Sequence, residues 1–431
     1  MLKLQSISEM RIGAGDKGLP SRSEGMKLGD IANAGWRLHH DLQLPAAVLR
    51  RSAIENNAIW MQRFAERFGV ALCPHGKTTM APQIFDRQLR DGAWGLSCAT
   101  MAHLRLYRRF GVQRIIFSNQ IASAEAAAWL AREMDADADF EATIFIDSLA
   151  GAELLADAAQ MVGLSRPIPV LVEIGVAAGR TGVRGADTAL ALARAVARRR
   201  ELAIAGVATF EGIVAGGTDI GMEPNVDALL LETVRAAEMI AADKLFDPTR
   251  PVMLTAGGSR FFDMVVRRFK AARIGSDPLV VLRSGCYISH DSIQYELAFE
   301  RLLERNDEAG IQGRLQNALE VWAEIQSWPE PGWMFVNLGR RDISYDAHLP
   351  EIILARPRLS GVIERIEPGA FAVERLSDQH AHVAVRGATS LGIGDQVGFG
   401  VSHPCTTFDK WRTLFEVDDD GLVVDAIATF F

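Results

Sequence analysis

The sequence is poor in the features that several large protein classes require. Its 431 residues contain only four cysteines, which lie far apart and include no CxxC pair. This argues against a disulfide scaffold and is typical of free thiols in a reducing cytoplasm. No run approaches the ~18 apolar residues that a membrane span needs, and the first residues lack the apolar core of a signal peptide. We therefore expect a cytoplasmic protein with no membrane partner.

An excess of positive charge is also missing. The chain has 46 Lys and Arg against 54 Asp and Glu, which gives a net charge of −8. This balance argues against a nucleic-acid partner and against an anionic membrane surface. Hydrophobic residues make up 48% and charged residues 23%, which is ordinary for a soluble globular protein, and the length favours two domains.

A repeated alternation of strand and helix patterns begins after residue 50. It predicts a (β/α)8 barrel, an α/β fold, over residues 51–275, although an open doubly wound sheet produces a similar alternation. The strand candidates are residues 70–73, 94–98, 114–118, 142–146, 168–174, 203–210, 251–255 and 271–274.

The alternation stops near residue 276. Residues 296–326 have the pattern of a polar helical insertion, and short alternating segments punctuated by glycine follow it. These segments predict a second, mostly β domain made of residues 1–50 and 276–431. The segment 45–50 precedes the first helix pattern, and we expect it to add a strand to this second domain.

A lone lysine, Lys77, stands where the first predicted strand ends, in the segment PHGKTT at residues 74–79. Barrel enzymes carry their chemistry at the C-terminal ends of the strands. A lysine there can form a Schiff base with an aldehyde cofactor if desolvation makes its amine nucleophilic. Position alone leaves a plain surface lysine as the simpler alternative.

Two glycine-rich loops follow later strand candidates. Gly257, Gly258 and Ser259 precede a helix pattern, so backbone amides and a helix N-terminus can bind a phosphate there. The alternative is a glycine turn in which Ser259 is an ordinary N-cap. Arg180 lies between two glycines after the fifth strand candidate and can reach inward, although such loops often serve only as turns.

The pair His403 and Cys405 is a candidate metal site near the C-terminus. An imidazole and a thiolate two residues apart can share one Zn²⁺ ion if the backbone is extended. Two protein ligands leave positions open, which suits a catalytic ion better than a structural one. By itself a His-x-Cys pair is weak support, because the pattern also arises by chance.

Taken together, these motifs resemble those of the pyridoxal-phosphate (PLP) enzymes with an alanine-racemase-type barrel, in the branch of the D-serine dehydratases and D-threonine aldolases. The resemblance runs from about Leu44 to the C-terminus. It is carried by Pro74-His75-Gly76-Lys77-Thr78, Gly179-Arg180-Thr181-Gly182, Phe210-Glu211-Gly212, Ala256-Gly257-Gly258-Ser259, Gly285-Cys286-Tyr287 and the segment 402–411 (SHPCTTFDKW).

The resemblance implies a role for each candidate. Lys77 would hold PLP as a Schiff base, Arg180 would lie on the pyridine side, and Gly257, Gly258 and Ser259 would bind the phosphate. Relatives often have tyrosine where this chain has Phe210, so Tyr287 is a candidate for the missing hydroxyl contact.

The resemblance also implies a reaction. The dehydratases hold Zn²⁺ with a His-x-Cys pair, whereas the D-threonine aldolases have aspartate where this chain has Cys405. We therefore expect an ammonia-lyase that converts D-serine or a related D-β-hydroxy amino acid to a keto acid and ammonia, and that forms a homodimer. The alternatives are a D-threonine aldolase, an amino-acid racemase and a non-catalytic PLP-binding protein.

Overall fold

The computed structural model describes residues 1–13, 15–305 and 312–431. A short helix, α1 (Gln5–Ser8), precedes the strand β1 (Ala46–Arg50), which runs directly into the long helix α2 (Arg51–Phe68). Gly69 ends α2 in the left-handed conformation at φ +59°, and its amide donates to the carbonyls of Ala65 and Glu66. Glycine adopts this conformation without steric cost, so the chain can turn there into the first barrel strand.

The centre of the first domain is a parallel sheet. Its strands are β2 (Ala71–Leu72), β3 (Leu96–Cys98), β4 (Arg114–Phe117), β5 (Glu141–Ile146), β6 (Ile168–Gly175), the short β7 (Val183–Arg184) beside β6, β8 (Leu202–Thr209), β9 (Met253–Ala256) and β10 (Leu279–Leu282). They pair in the order β2-β10-β9-β8-β6-β5-β4-β3. Backbone bonds from Trp94 to Leu72 (2.7 Å) and from Ser97 to Pro74 (2.9 Å) join the two edges. The predicted α/β barrel is confirmed.

Helices cover the outside of this sheet. They are α3 (Pro82–Arg90), α4 (Met101–Phe110), α5 (Ala124–Ala136), α6 (Leu149–Val162), α7 (Ala186–Val196), α8 (Asp219–Ala242), α9 (Phe262–Lys270) and α10 (Gln294–Arg305). Thr100, Ser123, Ser148 and Thr218 cap four of them by accepting a backbone N–H bond. Most residues of the long strands are buried, which explains their nearly continuous apolar sequences.

One predicted strand is wrong. Residues 271–274 follow the end of α9 and lie outside any strand, whereas β10 pairs with both β9 and β2. The four consecutive apolar residues of β10 suit a strand buried on both faces, whereas Arg273 interrupts the earlier run. The barrel strands therefore continue beyond the boundary predicted at residue 275.

The second domain is a mixed, mainly antiparallel sheet. It contains β1, β11 (Leu319–Glu330), β12 (Trp333–Val336), β13 (Glu351–Arg356), β14 (Glu364–Arg365), β15 (Phe371–Leu376), β16 (Ala381–Val385), β17 (Gln396–Gly400), β18 (Thr413–Val417) and β19 (Val423–Ala428), with α11 (Cys405–Phe408) between β17 and β18. Strand β1 pairs with β11 and β18, so the segment 45–50 adds a strand to this domain, as predicted.

The helical insertion predicted at residues 296–326 is only partly correct. Helix α10 covers its first part, but its end belongs to β11, which is hydrogen-bonded to β1 on one side and to β17 on the other. Residues 306–311, in its middle, lie outside the described residues. Within the described part of the chain, no helix combines the length and apolar character needed to cross a membrane.

Candidate active site

Lys77 lies just beyond the C-terminal end of β2, in a single helical turn formed by Gly76–Thr78. Its backbone N–H donates to Nδ1 of His75 (3.3 Å), and Nε2 of His75 contacts the hydroxyl of Ser118 (3.2 Å). Desolvation and the nearby Lys77 charge lower the pKa of His75 well below its usual value. The ring is therefore neutral and fixes the turn, while the exposed side chain of Lys77 enters a cavity.

This cavity has a volume of about 430 Å³, a size typical of small-molecule sites. Its lining brings together seven of the eight predicted site residues. Lys77 follows β2, Arg180 follows β6, and Gly257, Gly258 and Ser259 follow β9, all at the same end of the sheet. His403 and Cys405 enter from the second domain.

The lining is strongly cationic. Lys77, Arg180, Arg260 and Arg283 all contribute to it, and among the described residues that form it there is no carboxylate. Arg283 is held by bonds to the Thr255 hydroxyl (2.7 Å) and the Thr209 carbonyl, and burial lowers its pKa to about 10. It therefore remains protonated near neutral pH. Such a cavity suits an anionic ligand.

Arg180 contacts the aromatic ring of Phe210. Its guanidinium lies 4.5 Å from the centre of the Phe210 ring, and both side chains line the cavity. The ring therefore gives Arg180 a cation–π contact. A phenylalanine at this position orients Arg180 without contributing a hydroxyl.

The loop at Gly257 and Gly258 already binds a carboxylate of the protein itself. The amides of Gly257 and Gly258 donate to the Glu211 carboxylate at 3.3 and 2.7 Å, and Glu211 is fully buried. Burial raises the pKa of Glu211 above its ordinary value. The predicted use of these two amides for a phosphate is therefore not visible in the structure, although Ser259 does face the cavity. Helix α9 begins only at residue 262, so Ser259 is not its N-cap.

His403 is held by two carboxylates. It has a left-handed backbone with φ +71°, and its N–H donates to the buried Asp291 at 3.2 Å. Its Nδ1 lies 2.5 Å from Asp346, which also accepts a bond from the Thr406 hydroxyl. Despite desolvation, these bonds hold the pKa of Asp346 below its ordinary value. With Nδ1 occupied, Nε2 is the nitrogen free to bind a metal, which is the usual orientation of a metal-binding histidine.

Cys405 is hydrogen-bonded to a second thiol. Its Sγ lies 3.6 Å from Sγ of Cys286 and 3.6 Å from the hydroxyl of Thr78. The bond from Cys405 lowers the pKa of Cys286 to about 6, and the same contact raises that of Cys405 well above its usual value. In the described residues no group of three or more His, Cys, Asp or Glu side chains is arranged around a metal position. The extended backbone that the sequence prediction required between the two donors is absent, because Pro404 has helical dihedral angles and Cys405 begins α11. The pair still offers Zn²⁺ one imidazole and one thiol, with the remaining positions open.

Tyr287 is the predicted site residue that the structure corrects. It does not line the cavity, and its buried hydroxyl accepts a bond from Gln88 (3.2 Å). Tyr295, which the sequence reasoning missed, lines the cavity and places its hydroxyl 3.5 Å from Cys286. Cys286 and Tyr287 are neighbours in one helical turn, so they point in different directions, and no sequence signal shows which of them faces inward.

A lysine at the end of a parallel-barrel strand, a cationic cavity and a β domain that contributes to the same cavity define an enzyme-like site of the alanine-racemase type. The comparison with known families agrees. The chain belongs to the alanine racemase N-terminal domain family, whose model matches residues 49–277, and residues 318–417 match the putative serine dehydratase domain.

Curated relatives cover most of the chain. It is 28% identical to a D-threonine aldolase of Arthrobacter sp. over 388 residues, which are 88% of this chain and 90% of that protein. It is 26% identical to a D-threo-3-hydroxyaspartate dehydratase of Delftia sp. over 394 residues, 89% of this chain and 96% of the relative.

Solved structures show the same fold. A D-threonine aldolase from Filomicrobium marinum superposes with a TM-score of 0.73 at 24% identity, covering 92% of this chain and 97% of that one. A variant of a D-threo-3-hydroxyaspartate dehydratase, solved in a metal-free form, gives a TM-score of 0.69 at 21% identity, covering 92% of this chain and 99% of that one. The relatives thus include both an aldolase and a dehydratase of D-β-hydroxy amino acids.

Proposed function

We propose that this protein is a PLP- and Zn²⁺-dependent dehydratase that converts D-serine or a related D-β-hydroxy amino acid to a keto acid and ammonia. One observation carries the proposal: Lys77 from the barrel and the pair His403 and Cys405 from the second domain line one cavity. The cationic lining supports the same conclusion, because the PLP phosphate and the substrate carboxylate are both anionic. The fold family supports PLP as the cofactor.

Lys77 has two tasks in this proposal. Its amine would hold PLP covalently through the aldehyde group of the cofactor. The same amine, when not bonded to the cofactor, would act as general base towards the substrate α-proton. When bound, PLP supplies a ring that withdraws electrons and stabilises negative charge at the α-carbon. The hydrogen-bonded turn around His75 holds the Lys77 backbone in place for both roles.

His403 and Cys405 would hold the zinc ion. A bound metal lowers the pKa of a coordinated water from 15.7 to about 7, and the same Lewis acidity favours departure of the β-hydroxyl group. Asp346 orients the imidazole of His403, and Cys405 must lose its thiol proton before it can bind the metal. We therefore expect zinc binding to release protons.

A D-threonine aldolase is the second candidate function, and the Arthrobacter relative favours it. An aldolase would cleave the bond between the α- and β-carbons instead of losing the β-hydroxyl. The cysteine at position 405 favours the dehydratase, because aspartate stands there in the aldolases that this chain resembles. A racemase or a non-catalytic PLP-binding protein would need no metal pair in the cavity.

We also propose a homodimer that works in a reducing compartment. Tyr345, which precedes Asp346 in the chain, is 46% exposed, and an exposed aromatic ring beside the site supports contact with a second copy there. All four cysteines are free, which supports a cytoplasmic location. Size-exclusion chromatography with light scattering measures the molar mass in solution, and a monomeric mass would overturn the proposed dimer.

The deciding experiment measures products from D-serine, D-threonine and D-threo-3-hydroxyaspartate before chelation, after chelation and after zinc is restored. We expect ammonia and keto acid in equal amounts, lost on chelation and recovered with zinc, with the L-isomers as control substrates. Glycine plus an aldehyde would instead establish the aldolase. Turnover unchanged by chelation would refute the zinc role, and interconversion of D- and L-isomers would establish a racemase.

A further inference from the structure

Cys286 has no task in the proposed reaction, yet it contacts a residue that does. Its Sγ lies 3.6 Å from Sγ of Cys405, with which it shares a hydrogen bond. Both thiols line the cavity, and the Thr78 hydroxyl lies 3.6 Å from each of them. Both sulfur atoms thus contact the residue that follows Lys77 in the chain.

The other cysteines do not share this setting. Cys73 and Cys98 are fully buried (0% exposed), neither lines the cavity, and burial raises the pKa of both thiols. Thiols of this kind are unreactive towards oxidants, whereas thiols that border a cavity can be reached by small molecules. Among the four cysteines, Cys286 and Cys405 are therefore the pair that a small oxidant can reach and that lies close enough to form a disulfide.

We propose that Cys286 and Cys405 are a modification site at which a peroxide forms a reversible intramolecular disulfide. The peroxide first oxidises one thiolate to a sulfenic acid and leaves as water. The other thiolate attacks that sulfur, the S–S bond forms, and the sulfenic oxygen leaves as a second water. In total, two thiols lose two electrons and two protons to one peroxide. The sulfur atoms must approach from 3.6 Å to about 2.05 Å.

The disulfide would change the site in two ways. It removes the thiolate of Cys405, so His403 is the sole remaining ligand of the predicted metal pair. It also fixes the start of α11 to the turn Cys286–Ile288, which faces Thr78. The inference goes beyond the proposed reaction, because the disulfide is a property of the protein whether or not zinc binds.

The test uses the reduced, chelator-treated full chain and a stoichiometric amount of hydrogen peroxide. Alkylation under denaturing conditions should fall from four thiols per chain to two, and peptide mapping should identify the Cys286–Cys405 link. Dithiothreitol should restore all four. Cys286→Ser should abolish the link, whereas the matched control Cys98→Ser, which removes a buried thiol outside the cavity, should retain it.

The inference is overturned if all four thiols remain alkylatable, or if the mapped link joins other cysteines or two chains. A parallel sample loaded with zinc before oxidation separates this result from the zinc proposal. Protection by zinc supports both. A disulfide that forms equally with and without zinc supports the modification site but refutes Cys405 as a zinc ligand.

Discussion

Asp291→Asn is the sharpest test of how the metal-binding residues are positioned. The carboxylate of Asp291 is fully buried and accepts four backbone N–H bonds. Its Oδ1 accepts from Ile293, Tyr295 and Glu296, whereas Oδ2 accepts only from His403. The side chain thus links the start of α10 to the residue that would bind zinc.

Asparagine has one oxygen and one NH₂ group in place of the two oxygens. The oxygen should keep the Oδ1 position, where three donors converge, so the NH₂ group must face the N–H of His403. The bond from the His403 N–H to a charged acceptor is lost, and the new NH₂ group faces that N–H. Together these changes destabilise the folded site by about 2 kcal/mol. If this free energy is lost from the arrangement that holds His403 in its metal-binding position, zinc affinity should decrease about 30-fold, since each 1.4 kcal/mol is a factor of ten.

The assay is a competitive zinc titration against a chromophoric chelator, together with urea unfolding. Asp395→Asn is the matched control, because Asp395 is another buried carboxylate that accepts backbone N–H bonds, at 2.7 Å each from Arg358 and Gly392, outside the cavity. The Asp395→Asn variant should lose about as much free energy of unfolding as Asp291→Asn and should keep the zinc affinity of the unaltered protein. If Asp291→Asn binds zinc as tightly as the unaltered protein while folded, Asp291 has only a structural role.

Three further predictions concern the cofactor side of the cavity. Lys77→Ala should lose covalent PLP binding and at least 10³-fold of the turnover while the fold is retained, as checked by absorbance and circular dichroism; retained covalent PLP would exclude Lys77. Gly212→Ala should weaken PLP binding by perturbing Arg180, because the added Cβ would lie 2.8 Å from Cζ of Phe210; unchanged binding in a PLP titration would contradict this. Because the pKa of Glu211 is raised, its carboxyl group binds a proton more tightly in the folded state than in the unfolded state. Its contribution to the free energy of unfolding is therefore complete below about pH 4.5 and is lost as the pH rises through the pKa of the folded state. Glu211→Gln should reduce that pH dependence in urea unfolding, and an identical slope in both proteins would refute it.

The sequence was sufficient to predict the residues whose position follows from local chain geometry. Lys77 and Arg180 lie in the loops that follow β2 and β6, and Ser259 lies in the loop that follows β9. The C-terminal ends of parallel strands meet at one edge, so their convergence could be predicted. The partners of His403 could not be predicted in this way. Asp346 lies 57 positions from it in the sequence and Asp291 lies 112 positions from it, and both contacts arise only when separate segments of the chain pack together.

Glu211 shows a different limit of the sequence. The two glycines at 257 and 258 predict a free anion-binding loop, because glycine permits close approach to backbone amides. In the structure a carboxylate 46 positions earlier already accepts from Gly257, and it also accepts from Gly258. A glycine-rich loop can bind an anion from the protein itself as well as a ligand, and its sequence is the same in both cases.

The two halves of the site are built on different supports, which makes their functions separable. Lys77 depends on the barrel turn held by His75 and Ser118, whereas His403 depends on Asp291 and Asp346. No described hydrogen bond joins His75 or Ser118 to Asp291 or Asp346, although the Thr78 hydroxyl in the Lys77 turn lies 3.6 Å from Cys405. Changes to the His403 supports should therefore lower zinc affinity and leave PLP binding intact, which is the opposite of what a general loss of folding would produce. Such variants should therefore still bind PLP covalently. Their turnover should fail only at the departure of the β-substituent, which is the step that zinc would assist.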